Sequence, residues 1–250
     1  MTPYILDISN QKSILFSRLE SLADPKTARW WENYVKHDTK FHGVGIPKIR
    51  EELKNWYITE GIGSLEPEVQ LELALSFFDE DFAEEKLAGI LFLQLYLYDR
   101  FDFAFLLKRF ESLFAQGLIY DWNICDWFCV RVLGPMIEKH GMKCALGISK
   151  WATASNVWLV RCSVVAFANI AKNGDFTDIL IESSQKLITR EERFAKTAVG
   201  WILRELSRKE KVTVANFIRD HLNDFSKESL NNSLKYFTDD EKKLLGKIPG

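Results

Sequence analysis

The chain of 250 residues is poor in helix breakers, with only six Pro and thirteen Gly, and no stretch of it reads as a convincing strand. It has no run of about 18 apolar residues, which excludes a simple membrane-spanning helix. The start, MTPYILDISNQKS, lacks the basic opening and apolar centre of a secretory signal. The expected location is therefore the cytoplasm, away from membranes. Its four cysteines, Cys125, Cys129, Cys144 and Cys162, form neither a CxxC pair nor a disulfide framework; the three in apolar helices read as small core residues, and no zinc site is expected. Charge of one sign is also missing: the net charge of −2 argues against a generic nucleic-acid binder.

What is present is helical periodicity, aromatic side chains and an uneven distribution of charge. Hydrophobic residues make up 47% of the chain, enough for a substantial core. The 3.6-residue period predicts helices over 11–23, 27–37, 46–59, 66–79, 83–98, 101–115, 121–139, 142–151, 156–172, 175–188, 192–208, 210–222, 226–234 and 238–246. Asp24-Pro25, Pro47 and Glu66-Pro67 are start signals for three of them. Paired helices recurring about every 35–40 residues suggest an all-α, HEAT-like helical repeat solenoid forming one domain over 1–250, with a compact helical bundle as the alternative.

Residues 51–126 carry 5 Lys/Arg against 16 Asp/Glu, a balance of −11, whereas 139–211 carry 13 against 7, a balance of +6. One surface should thus repel polyanions while another, in the second half, could hold them. There are eight Trp, a residue that usually has a contact to make when it is exposed.

Five segments stand out. In Asp121–Arg131, a helix sets Trp122 and Asp126 at i and i+4 on one face, continued by Cys129, Val130 and Leu133. A carboxylate in apolar company needs a cationic partner, a capping role or a cationic substrate. Tyr34 precedes the turn Phe41-His42-Gly43-Val44, where Lys36, Lys40, Lys48 and Arg50 make a locally basic patch. Glu84 sits in the first turn of an apolar helix, where capping accounts for it. Arg161 falls on a helix apolar nearly all round and requires a carboxylate, Asp126 for instance, or a phosphate. In Arg193–Leu206, Phe194, Ala195, Ala198, Val199, Ile202, Leu203 and Leu206 fill half of the wheel, leaving Trp201 on the polar side beside Thr197, Arg204 and Arg208. Rings interleaved with cations, next to Gly200 that could let something approach the backbone, fit a surface holding a nucleic-acid strand. A hot spot for a partner protein would look similar.

Tyr34 with Phe41-His42-Gly43-Val44, Trp122-Asn123-Ile124-Cys125-Asp126, Asn156–Arg161 and Gly200–Glu205 together resemble the alkylpurine DNA glycosylases of the AlkD type, in order and approximate spacing, over roughly residues 25–210. The resemblance implies HEAT-like repeats wrapped around duplex DNA, and removal of cationic lesions such as 3-methyladenine and 7-methylguanine from it. It implies a catalytic Asp126, with Trp122 and Trp201 flanking the lesion's deoxyribose, Tyr34 beside them and Arg161 on the DNA backbone. Lys196, Arg204 and Arg208 are expected to add DNA contacts. The implied enzyme is a monomer without cofactor, base pocket or lyase activity; the reading from another class is a non-catalytic helical scaffold that binds DNA or protein.

Overall fold

In the computed structural model, residues 7–36 and 38–245 are described. The expectations placed on His37, on the first six residues and on position 246 lie outside them. Among the described residues there are helices and turns, one isolated bridge between Lys40 and Phe82, and no strand. No helix is long and apolar enough to cross a membrane. The all-α class read from the period is the class observed.

The chain divides into two compact units. The first comprises the residues up to Asp102 together with Gln116–Trp127. It contains α1 (Ile8–Ser21), α2 (Pro25–Tyr34), α3 (Ile46–Thr59), α4 (Pro67–Ser76) and α5 (Ala83–Phe92). Proline stands at the first turn of α2, α3 and α4, where its missing N–H costs nothing and its fixed φ suits a helix. Ile49, Leu53 and Trp56 of α3 are fully buried at i, i+4 and i+7, facing α1 and α5. Every residue of α5 is buried. Gly89 explains how α5 comes so close to α4: a Cβ there would lie 3.0 Å from the Ala74 carbonyl oxygen and 3.1 Å from the Phe77 side chain. Beyond Phe92 the helix widens into a π segment, Leu93–Leu97, and this register sets Tyr96 flat against Tyr57 with ring centres 3.8 Å apart.

The second unit comprises Phe103–Ala115 and the residues from Phe128 on. Its helices are α6 (Phe103–Ala115), α8 (Gly134–His140), α9 (Met142–Ser149), α10 (Val157–Val165), α11 (Thr177–Ile188), α12 (Arg193–Leu206), α13 (Lys211–Asp220), α14 (Lys227–Ser233) and α15 (Asp239–Leu244), while α7 (Trp122–Phe128) begins in the first unit. A second π segment, Cys129–Leu133, follows α7, so the i, i+4 wheel drawn from Trp122 through Leu133 is interrupted after Phe128. The helix expected to reach 172 stops at Val165, because the chain tightens into i→i−3 hydrogen bonds, Phe167 to Val164 at 3.0 Å and Ile170 to Phe167 at 2.9 Å. On α12, Ala195, Ala198, Val199, Ile202, Leu203 and Leu206 are buried as the wheel assigned them, whereas Phe194 is only half-buried and Gly200 is buried as well. All four cysteines are buried thiols; Cys129 Sγ lies 3.4 Å from Cys162 Sγ, and burial pushes the Cys144 thiol up to about 12.

Candidate functional site

The candidate residues of the first unit hang on a turn that is pinned from two sides. The carboxylate of Glu84, 1% exposed in the first turn of α5, accepts hydrogen bonds from the backbone N–H of His42 at 2.9 Å, Gly43 at 2.8 Å and Val44 at 3.0 Å. Glu84 was expected to cap its own helix; Glu85 does so, accepting from the Phe82 N–H at 3.3 Å, while Glu84 serves the neighbouring turn. Gly43 has φ of +88°, and a Cβ there would meet the Asp24 carbonyl oxygen at 2.2 Å, so only glycine lets the turn sit on the start of α2. The Asp24 N–H donates to the His42 carbonyl at 3.0 Å, and the Asp24 side chain caps α2 through the Lys26 N–H at 3.0 Å. The bond from the Thr27 hydroxyl, with that from Lys26, holds the Asp24 carboxyl below its ordinary range.

His42 lies flat on Phe82 with ring centres 3.8 Å apart and Nε2 3.3 Å from Glu85. Burial works against its protonation, but the hydrogen bond to Glu85 and the charges of Glu84, Glu85 and Glu20 outweigh it and raise the imidazole pKa.

So anchored, α2 carries an aromatic cluster. Trp31 stacks on Phe41 with centres 5.9 Å apart, tying the helix to the turn. Tyr34, 55% exposed, meets Trp122 edge-on at 5.4 Å. Trp122 opens α7, whose entry is fixed by Asp121: one carboxylate oxygen accepts from the Ile124 N–H at 3.0 Å, the other from the Thr39 hydroxyl at 3.1 Å. Burial raises the Asp121 pKa, and the bonds from Ile124 and Thr39 only moderate that rise. Asp126 lies half-buried one helical turn beyond Trp122. Tyr34, Trp122 and Asp126 thus belong to two helix segments braced by the same 38–46 turn. A cavity of about 80 Å³ sits beside them, lined by residues that include Trp31, Phe41, Glu84, Asn123 and Trp127.

Two of the four cations of the basic patch expected around this turn are paired. Lys40 pairs with Asp81 at 2.7 Å, which raises the Lys40 pKa, and Lys48 pairs with Glu51 at 2.9 Å.

In the second unit, Arg161 is 6% exposed and donates to the Phe194 carbonyl at 3.0 Å and the Thr197 hydroxyl at 3.2 Å. Trp201 is half-buried with the Arg204 guanidinium 5.9 Å from its ring centre. The reading of Gly200 is corrected: what approaches its backbone is α14, since a Cβ would lie 2.6 Å from the Ser229 carbonyl oxygen. The cations beside Trp201 also reach toward the segment around α14. Lys196 donates to the Asp224 carbonyl at 2.6 Å, Arg204 to Asn232 at 3.0 Å and to Glu205 at 2.7 Å, and Arg208 to Glu205 at 2.9 Å and to the Tyr236 hydroxyl.

Sequence reasoning missed three parts of this arrangement: the Glu84 cradle, the Thr39–Asp121 link and Trp30. The first two join residues 40 or more positions apart and leave no local signal. Trp30 did leave one, since it stands four residues before Tyr34 on the same helix face.

The family model described as DNA alkylation repair enzyme matches residues 15–237. A solved structure described as a predicted DNA alkylation repair enzyme from Enterococcus faecalis superposes with a TM-score of 0.73 at 20% identity, covering 87% of this chain and 97% of that one, which is a likeness of fold. No curated protein matches the chain. With nine-tenths of its length inside the family match, the chain belongs to the DNA alkylation repair enzymes.

Proposed function

We propose that the protein is a monofunctional glycosylase that hydrolyses the N-glycosidic bond of cationic alkylated purines, 3-methyladenine and 7-methylguanine, in duplex DNA. The observation that carries this reading is the carboxylate of Asp126 one turn from Trp122, itself in contact with Tyr34, in a chain of the DNA alkylation repair family. A purine alkylated at N3 or N7 is positively charged and departs neutral, so it needs no general acid. As the bond to C1′ breaks, positive charge develops on the deoxyribose. A fixed carboxylate stabilises that charge and orients the water that adds to C1′, and indole faces add cation–π attraction.

Trp201 and Arg161 of the second unit, with Lys196, Arg204 and Arg208, complete the proposed DNA-contacting set. The proposed mechanism calls on no enclosed base pocket. The chemistry calls on no cofactor, the proposed partner is double-stranded DNA, and the working form is a monomer.

A panel of otherwise identical duplexes tests the reading. Release of 3-methyladenine and 7-methylguanine is expected, with uracil, hypoxanthine and 8-oxoguanine left in place and the strand uncut at the abasic product. Efficient uracil excision would demand activation of a poor leaving group and overturn this chemistry. Release of no base at all would leave the family's fold serving as a binding scaffold.

A further inference from the structure

Trp30 is an exposed indole of the first unit that the glycosylase chemistry leaves unused. It is 58% exposed, although an indole in water forgoes the burial that favours it elsewhere. Its ring lies parallel to that of Tyr34, with centres 5.3 Å apart and planes 9° from parallel, and Trp31 meets it edge-on at 4.9 Å. Tyr34 in turn touches Trp122. The outer surface of α2 therefore presents a stiff platform of two stacked rings that is continuous with the candidate site.

The residues around this platform are cationic. Lys26, Arg29 and Asn33 are exposed on the same helix, Lys26 one turn before Trp30, and Lys36 is exposed just beyond. Among the described residues, Lys26 and Arg29 form no ion pair, unlike Lys40, Lys48 and the cations of α12. The one carboxylate of the helix, Glu32, is turned inward, with its Oε1 3.4 Å from the Phe41 amide nitrogen. An aromatic platform flanked by unpaired cations is the combination that holds a base by its π face while the cations hold the flanking phosphates.

We infer that Trp30, backed by Tyr34, is a stacking site for an unpaired nucleobase of the bound DNA, with Lys26 and Arg29 on the adjoining phosphates. The inference rests on the DNA-binding reading above and deepens it. A base inside an intact duplex offers no face to an indole, so the site takes a base that has left the stack, and it gives the protein a preference for helices disturbed at a lesion. A protein partner on the same platform would need apolar surface beyond the rings, yet the other residues of α2 beside Trp30 are the cations Lys26 and Arg29 with the polar Thr27 and Asn33.

The test uses the full chain and three labelled probes of one sequence: a paired duplex, the same duplex with a single-nucleotide bulge, and the single strand. The wild-type protein should bind the bulged duplex more tightly than the paired one. Trp30→Ala should weaken binding to the bulged duplex and the single strand by roughly 5- to 150-fold, the range of one lost base–aromatic stack, and to the paired duplex by no more than about 3-fold. Trp30→Phe should restore most of the loss, and quenching of indole fluorescence on the bulged probe should shrink in Trp30→Ala. Equal losses on all three probes, or none, would overturn the inference while leaving the glycosylase reading intact. A wild-type protein that binds none of the probes would overturn both.

Discussion

Replacing Glu84 by Gln keeps the shape of the side chain and removes its charge, which isolates what the carboxylate contributes to the 41–46 turn. In the native protein one oxygen accepts from Gly43 and Val44, and the other from His42. A glutamine amide has one acceptor oxygen, so two bonds survive as neutral ones while an N–H₂ group is brought against the His42 N–H. Losing the charge from two bonds costs about 1 kcal/mol each, and leaving one part-buried donor without an acceptor costs about 1–3 kcal/mol more, giving roughly 3–5 kcal/mol in all. Against the 5–15 kcal/mol typical of a whole domain, that is a large fraction. Urea unfolding followed by Trp fluorescence and far-ultraviolet circular dichroism should show the transition of the first unit displaced to lower urea by that amount. Trp31 and Tyr34 should loosen with it, because they are held through Phe41 and the start of α2. A Glu84→Gln protein within about 0.5 kcal/mol of wild type would refute the reasoning, and the turn would have to owe its shape to Gly43 and the Asp24–His42 bond.

Three further outcomes follow from the same geometry. Gly200→Ala should destabilise the second unit by about 1–3 kcal/mol in thermal or urea unfolding, although alanine is the better helix former by about 1 kcal/mol, because its Cβ would meet the Ser229 carbonyl at 2.6 Å; a stabilised variant would mean that α14 is not seated there. His42 has a raised pKa in the folded state, so its contribution to stability is fully present below its unfolded value of about 6.5 and is lost as pH rises through the folded value. Unfolding midpoints across that window should fall for the wild type and stay flatter for His42→Gln, whereas parallel curves would count against the linkage. Binding to paired duplex DNA should weaken with salt, with a log–log slope shallower than about −5, the value expected if six cations of the second half were free to meet phosphates; a steeper slope would show that the pairs around α12 open on binding.

How far the sequence could be read depended on whether the signal was local. Helix after helix was legible from period and caps: Asp24-Pro25, Pro47 and Glu66-Pro67 mark starts that the structure keeps, and the core face of α12 is the one drawn on the wheel. The π segments at Leu93–Leu97 and Cys129–Leu133 were not legible, since each extra residue is admitted by tertiary contacts and changes no local propensity. The charge ledger was incomplete, because a linear window counts cations but not their partners. Arg193 pairs with Glu228 at 2.8 Å and Lys211 with Glu241 at 3.1 Å, acids that lie outside the window whose balance was +6. Gly200 was read as an opening for a ligand for the same reason: the sequence shows that a backbone can be approached but not by what.

The central claim is that Asp126 stabilises the charge that develops on a deoxyribose as a cationic base departs. Its most direct measurement is single-turnover release of 3-methyladenine and 7-methylguanine from methylated duplex DNA by wild type and Asp126→Asn, with affinity for the same duplex measured alongside. The account predicts unchanged binding within about 3-fold and release slowed by roughly 10²–10³-fold, the loss expected when one preorganised charge is removed from a developing cation. Full release by Asp126→Asn, or no release by the wild type, would contradict it.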